Sequence, residues 1–402
     1  MTVEIKPSSA HGTVSAPPSK SMAHRLLICA GLAAGESAVR GISESDDIKA
    51  TLGCLASLGA ELSESGKDVF VSGTGKPASR AGGVLHCRES GSTMRFFVPI
   101  ALLSGNHTVL DGSRTLLSRP LGVYRDICRE KGLLFSQDES SVVVKGPLPA
   151  GEYTVPGSIS SQFISGLLFA LPLADGDSVI KILPPAESSP YIRLTVRALS
   201  LFGVDVRHPD ANTLIIKGNS KYTPADVTVE GDWSNAAFFA ALNTLGGSVK
   251  INGLDENSLQ GDKIYEKHFE SLEKGTPVIH IGDCPDLAPV LFAVAAAKYG
   301  GVFTGTRRLR IKESDRAECM AHELRKFGTA VTVHDDSVVI FPKELHAPDG
   351  HLDGHNDHRI VMALSVLSAL TGGVIDGAEA VKKSFPDFFE RLEEIGIEVK
   401  RR

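Results

Sequence analysis

Six times along the chain a short alternating stretch runs into a polar turn and then into a segment that is apolar nearly all round. The turns are Ser19-Lys20-Ser21, Ser90-Gly91-Ser92-Thr93, Ser158-Ile159-Ser160-Ser161, Gly231-Asp232-Trp233-Ser234-Asn235, Asp283-Cys284-Pro285-Asp286 and Asn356-Asp357-His358-Arg359. They recur roughly every 55–72 residues, a period long enough for a βαβαββ unit. Residues 153–155, 227–229 and 278–281 alternate with the period of a strand. The segments 26–34, 96–103, 163–173, 236–245, 287–297 and 360–370 predict buried helices, because a helix without a polar face belongs in a core. Ser, Asp and Asn at their starts suit N-caps. Each unit adds a second, amphipathic helix, several of which stop at a glycine: 48–58 before Gly59, 191–202 before Gly203, 315–327 before Gly328 and 385–395 before Gly396. The fourth unit is the least regular, with a short second helix near 264–272.

An α/β (α+β) chain of 402 residues with six such units divides into two domains of three units each. Its crossings, 12–18 and 219–225, are rich in Gly, Ser, Thr and Pro. The expected domains are 14–224 and 1–13 plus 225–402, with residues 2–7 joining the C-terminal half as an extra strand. If the buried helices aim their N-termini at the interdomain cleft, six partial positive charges converge there, and closure around an anionic substrate follows.

Composition narrows the classes. The net charge of −6 argues against a nucleic-acid surface, and any positive site is a local concentration of Lys and Arg. The N-terminus lacks a signal-peptide core, and the apolar runs 287–297 and 360–370 are too short to span a bilayer, so no membrane is expected. The six cysteines form no CxxC pair and read as reduced thiols, which predicts a cytoplasmic protein.

The cations sit at the wrong ends of the helices. A helix N-terminus favours Asp or Glu, yet Lys20, Arg25, Arg95 and Arg359 lie at or near such starts, with Arg119 in a Ser-Arg-Pro turn. Lys312 and Arg316 stand four apart, a like-charge spacing that costs a few tenths of a kcal/mol on a helix. Repeated in a net acidic chain, the pattern points to an anion site. Ser160-Ser161-Gln162 suits a phosphate monoester, or simple capping, and Gly91 permits close backbone approach. Asp286 and Glu313 are candidates for proton transfer in a cationic cleft, or are helix caps. His358 reads as a positioning residue. No phosphate-binding GxxxxGK[ST] loop, HExxH motif or Cys/His cluster is present.

Assembled in order, these stretches resemble the EPSP synthase (3-phosphoshikimate 1-carboxyvinyltransferase) family over the whole chain: Lys20-Ser21 with Arg25, Gly91 to Arg95, Arg119-Pro120, Ser160 to Phe163, Ser189-Pro190-Tyr191, Asp286, Lys312 to Arg316, Asn356 to Arg359 and Lys383 to Asp387. The resemblance implies an inside-out α/β barrel in each domain and transfer of the enolpyruvyl group of phosphoenolpyruvate to the 5-hydroxyl of shikimate 3-phosphate, with release of phosphate. It implies that Lys20, Ser21, Arg25, Ser160, Ser161, Gln162, Ser188, Asp286 and Lys312 hold shikimate 3-phosphate. It places Lys20, Gly91, Arg119, Gln162, Arg316, Arg359 and Lys383 on phosphoenolpyruvate, Asp286 on the 5-hydroxyl proton, and Glu313 with Lys20 on protons of the methylene carbon. Neither metal nor cofactor is implied, and the family suggests a monomer. Two stretches depart from the common pattern: Glu89 and Ser90 stand where many members carry Asn-Ala, and Arg308 where some carry Asn.

Three rival readings follow from the same features. UDP-N-acetylglucosamine enolpyruvyltransferase is similar to the chain but typically uses a loop cysteine before its Arg-Pro pair, and none lies between Asp111 and Gly122. An RNA 3′-terminal phosphate cyclase needs nucleotide and RNA contacts that an acidic chain does not offer. A noncatalytic anion clamp would have no use for both Asp286 and Glu313.

Overall fold

The computed structural model describes residues 1–76 and 83–402, and the chain divides into two compact units, Pro18–Glu230 and Met1–Pro17 with Gly231–Arg402.

In Pro18–Glu230 the helices are α1 (Lys20–Leu32), α2 (Asp46–Ser57), α3 (Gly91–Ala101), α4 (Arg114–Leu117), α5 (Gly122–Glu130), α6 (Ser161–Ala170) and α7 (Ser189–Leu201). Three four-stranded sheets repeat one pattern: a parallel pair, then two antiparallel neighbours. Their orders are Asp226–Thr228, Ala34–Arg40, Asp68–Thr74, Glu61–Ser65; Gly83–His86, His107–Asp111, Ser141–Lys145, Leu134–Gln137; and Gly151–Pro156, Ser178–Leu183, Thr213–Ile216, Val206–Asp210. The apolar helices α1, α3 and α6 are buried over almost their whole length and join one hydrophobic core. Each buried Leu, Ile or Phe there contributes about 1.5–3 kcal/mol relative to exposure.

The other unit carries α8 (Trp233–Thr244), α9 (Tyr265–Lys274), α10 (Ala288–Ala297), α11 (Arg316–Lys326), α12 (His358–Thr371) and α13 (Phe388–Glu394). Here α8, α10 and α12 are the buried set, within a second core. One sheet, Val278–His280, Gly301–Thr304, Ser337–Ile340 and Val331–Val333, repeats the pattern above. Another is completed from the chain's start: Val3–Ile5 lies antiparallel between Gly373–Asp376 and Val399–Arg401.

Two strands lie in a different repeat from the one their sequence position suggests. His11–Ser15, just before α1, pairs in parallel with Ser248–Asn252 of the second unit. Asp226–Thr228, just before α8, pairs in parallel with Ala34–Arg40 of the first. The fourth repeat departs from the others in a further way: its sheet, Ser248–Asn252 with His11–Ser15, has two strands among the described residues.

The caps follow the local rule. Ser19, Ser90, Ser160, Asp232 and Asp357 each accept a backbone N–H at the start of α1, α3, α6, α8 and α12. None of the six buried helices has an acidic residue in its first turn, whereas α9, α11 and α13 each have one and α2 has two.

Candidate active site

In Pro18–Glu230 the chemistry-bearing residues gather at the starts of α1, α3 and α6. Lys20 opens α1, and its Nζ donates to Asp47 Oδ2 of α2 at 2.7 Å. Arg25, one turn on, is buried: Nη1 donates to the Ser21 carbonyl (2.6 Å), Nε to Thr195 Oγ1 (2.9 Å) and Nη2 to the Tyr191 carbonyl (3.1 Å). Its guanidinium also lies 5.3 Å from the Phe96 ring. Burial pulls its pKa down to about 10, which leaves it charged at neutral pH. Thus α1 is tied to the beginning of α7, where Ser188, buried and left-handed (φ 58°), precedes the helix.

Gly91 is the first residue of α3, and Arg119 lies against it. A Cβ at position 91 would fall 2.4 Å from Arg119 Nη1, so only glycine lets the guanidinium come this close. Gln162, in the first turn of α6, accepts from Arg95 Nη1 (2.6 Å) and donates to Ser92 Oγ (2.8 Å), joining α6 to α3. Pro99 inside α3 lacks the N–H that would bond the Arg95 carbonyl, and the Tyr124 hydroxyl donates to that carbonyl instead at 2.6 Å. Gly166 gives room for this contact, since a Cβ there would meet Tyr124 Oη at 2.2 Å. Ser160 caps α6 and Ser161 begins it.

In the other unit a buried arginine organises three carboxylates. Arg316 is 1 % exposed; Nη1 donates to Asp286 Oδ1 (2.7 Å), Nη2 to Glu313 Oε2 (2.7 Å) and Nε to Asp357 Oδ2 (2.8 Å). Lys312 Nζ reaches the same Asp286 oxygen at 3.1 Å. Lys312 and Arg316 do not share a helical face, because α11 begins at Arg316 and Lys312 follows a 3₁₀ turn over Arg307–Ile311. Their charges are compatible because they converge on one carboxylate.

Burial disfavours the ionised form of Asp286, but Lys312, Arg316 and Arg359 outweigh it and hold its carboxyl well below the ordinary range. Burial lowers the Lys312 ammonium, with Asp286 opposing. Burial likewise works against the Arg316 charge, but Asp357, Glu313 and Asp286 prevail and strengthen it.

Neither carboxylate caps a helix. Asp286 lies in a 3₁₀ turn over Pro285–Leu287 and turns toward the cations; Asp315 is the cap of α11. Asp357 Oδ1 accepts the Arg359 N–H at 2.9 Å, and Arg359 Nη1 donates to Asn235 Oδ1 of α8 at 3.2 Å. The Arg359 guanidinium lies 5.9 Å from the Phe238 ring. Arg359 Nε and Asn235 Nδ2 are buried donors without an acceptor. Lys383 Nζ donates to the Asn356 carbonyl at 2.6 Å, in the turn before α12. His358 is buried in the first turn of that helix, and Arg308 donates to the Gly282 carbonyl at 3.3 Å.

Three supporting residues escaped the sequence reading: Asp47, Asp357 as the Arg316 partner, and Asn235. Asp47 looks like an ordinary first-turn acid of α2, and Asn235 like a residue following a cap. Among the described residues no helix is long and apolar enough to cross a membrane, and no group of three His, Cys, Asp or Glu side chains is arranged to hold a metal ion.

A family model described as EPSP synthase (3-phosphoshikimate 1-carboxyvinyltransferase) matches residues 5–392. The chain is 39 % identical to the 3-phosphoshikimate 1-carboxyvinyltransferase of Clostridium kluyveri and 40 % identical to that of Clostridium acetobutylicum, covering 99 % of this chain and 98 % of each relative. Among solved structures, EPSP synthase from Acinetobacter baumannii superposes with a TM-score of 0.79 at 24 % identity over 100 % of both chains. The enolpyruvyl transferase NikO from Streptomyces tendae does so with the same TM-score at 14 % identity, over 99 % of this chain and 98 % of its own. At these identities the two structures speak for the fold, and the full-length relatives speak for the family: the chain belongs to the EPSP synthase family.

Proposed function

We propose that the protein transfers the enolpyruvyl group of phosphoenolpyruvate to the 5-hydroxyl of shikimate 3-phosphate and releases phosphate. The observation that carries the reading is Asp286, a carboxylate approached on one oxygen by both a lysine and an arginine. So held, it is ionised but weakly basic. Anions drawn to Lys312 and Arg316 would divert part of that pull and bring its basicity toward the useful range. Asp286 then takes the 5-hydroxyl proton as the oxygen bonds to C2 of phosphoenolpyruvate, while C3 gains a proton. Loss of a C3 proton with departure of phosphate restores the double bond, and Glu313 with Lys20 serves those C3 protons.

Ser21, Arg25, Ser160, Ser161, Gln162, Ser188 and Lys312 are the further shikimate 3-phosphate residues in this reading. Gly91, Arg119, Gln162, Arg316, Arg359 and Lys383 serve phosphoenolpyruvate, and Lys20 serves both substrates. Arginine forks suit planar carboxylate and phosphate groups, and the buried Arg359 Nε and Asn235 Nδ2 lack the acceptors that an anion's oxygens supply. The reading includes a cytoplasmic monomer acting without a cofactor; sedimentation of the purified chain tests the oligomeric state.

The test is a phosphate-release assay that requires both substrates, with UDP-N-acetylglucosamine as the competing acceptor. Release with shikimate 3-phosphate alone among the acceptors supports the proposal. Release with the UDP-sugar, or binding without release, refutes it.

A further inference from the structure

Beneath the Gly91 turn runs a line of buried side chains that the proposed chemistry does not use. His24 Nδ1 lies 2.8 Å from Thr51 Oγ1, Thr51 Oγ1 lies 2.8 Å from Thr93 Oγ1, and Thr93 Oγ1 donates to Ser90 Oγ at 2.7 Å. His24, Thr51, Thr93 and Ser90 are each 0–1 % exposed. The line passes through α1, α2 and α3.

The proton count gives it one direction. Each hydroxyl has a single proton, and Thr93 directs its own to Ser90. Thr51 must therefore donate to Thr93, which leaves Thr51 needing a donor, and His24 Nδ1 is the group in reach. His24 is thus the Nδ1–H tautomer, and its Nε2, buried without a partner, carries the lone pair. Burial, helped by Lys20 and Arg25, holds this imidazole neutral.

The ends of the line matter most. His24 is four residues past Lys20 on α1, and Thr51 is four past Asp47 on α2, so the His24–Thr51 bond and the Lys20–Asp47 ion pair are two rungs between the same two helices. At the far end Ser90 caps α3 and immediately precedes Gly91, which has no slack against Arg119.

We propose that the His24–Thr51–Thr93–Ser90 chain is a positioning device that fixes the Gly91 turn relative to Lys20, and that Thr51 is its central positioning residue. The proposal rests on the reading of Gly91, Arg119 and Lys20 as the phosphoenolpyruvate side of the site. The turn lies directly against the Arg119 guanidinium, and a misplacement of about 1 Å at a reacting centre can cost roughly 10²-fold in rate.

The experiment compares wild type with Thr51→Val, which keeps the shape and removes the hydroxyl, and Thr51→Ser, which keeps the hydroxyl. Thr51→Val should raise KM for phosphoenolpyruvate about tenfold, the equivalent of one buried hydrogen bond, with KM for shikimate 3-phosphate within about twofold. Thr51→Ser should restore the wild-type value. A Thr51→Val enzyme that melts at lower temperature yet keeps its KM values shows a purely structural chain and overturns the proposal, as does an equal rise in both KM values. An independent arm is long-range ¹H–¹⁵N NMR of ¹⁵N-histidine protein, with His24 assigned by its loss in His24→Gln. An Nδ1–H tautomer supports the chain and an Nε2–H tautomer refutes it. If wild type releases no phosphate, the functional reading fails, while the NMR arm still decides the direction of the chain.

Discussion

Replacing Arg316 with methionine removes a cation shared by Asp286, Glu313 and Asp357. The guanidinium is 1 % exposed, and the Asp357 side chain is fully buried. After the change Asp286 retains Lys312, while Asp357 retains the Ser314 hydroxyl and the Arg359 N–H, with the His358 ring 3.9 Å away. Taking one partner from a buried ion pair costs about 3–5 kcal/mol, because the remaining charge is left uncompensated. Against a typical total of roughly 5–15 kcal/mol, that is a large share. The pH dependence gives the sign. In wild type the depressed Asp286 carboxyl contributes stability above its unfolded pKa of ~4 and loses it as pH falls through the depressed value. In Arg316→Met that pull is weakened, so the deficit should be largest at pH ~8 and narrow on acidification, by up to about 1.4 kcal/mol per pH unit as Asp286 protonates earlier. The chain's single tryptophan, Trp233, is buried at the start of α8 in the same unit, so its fluorescence during guanidinium unfolding reports this unit. A loss below about 1 kcal/mol at pH ~8, or a deficit that grows toward acid, would show that pairing with Arg316 does not hold these charges in place.

Asp286→Asn keeps the shape and removes the base. Turnover in the phosphate-release assay should fall about 10²–10⁴-fold with shikimate 3-phosphate still binding in calorimetry, and near-normal turnover removes Asp286 from proton transfer. Gly91→Ala puts a methyl 2.4 Å from Arg119 Nη1, so the guanidinium must move. We expect a higher KM for phosphoenolpyruvate with shikimate 3-phosphate unaffected, and an unchanged value would mean that Arg119 does not serve that substrate. Near α12, His355 bonds Glu323 at 3.0 Å and is pushed up to about 10 by hydrogen bonds with Cys319 and Glu323. A raised pKa stabilises fully below the unfolded value of ~6.5 and is lost as pH rises toward the folded one, by up to about 1.4 kcal/mol per unit. Glu323→Gln should flatten that alkaline decline in Trp233-monitored unfolding, and an unaltered slope would remove the pair from the pH response.

What could be read in the sequence was whatever is local. The turns, the apolar helices and the glycine stops depend on neighbours within a few residues, and Ser19, Ser90, Ser160, Asp232 and Asp357 cap their helices as the turns imply. Strand membership was not local. Alternation marks residues 227–229 as a strand but is silent on a partner about two hundred residues away, so that strand read as belonging to the repeat that follows it, while 12–18 read as a crossing with no pairing of its own. At the site, the excess of cations was visible as charge at the wrong helix ends, whereas their pairing was not. Asp286 and Asp47 each stand where a helix-start acid is ordinary, and only the fold shows one facing Arg316 and the other facing Lys20. The hydroxyl chain was the least visible. Ser, Thr and His in a buried helix break no sequence rule, since each can bond locally. Yet Lys20 with His24, and Asp47 with Thr51, share the same four-residue spacing, and two helices with matching ladders can zip in register. That match is the signal a sequence can carry: a polar residue four positions past each member of an ion pair, on the faces that two helices turn toward each other, marks where a second rung forms.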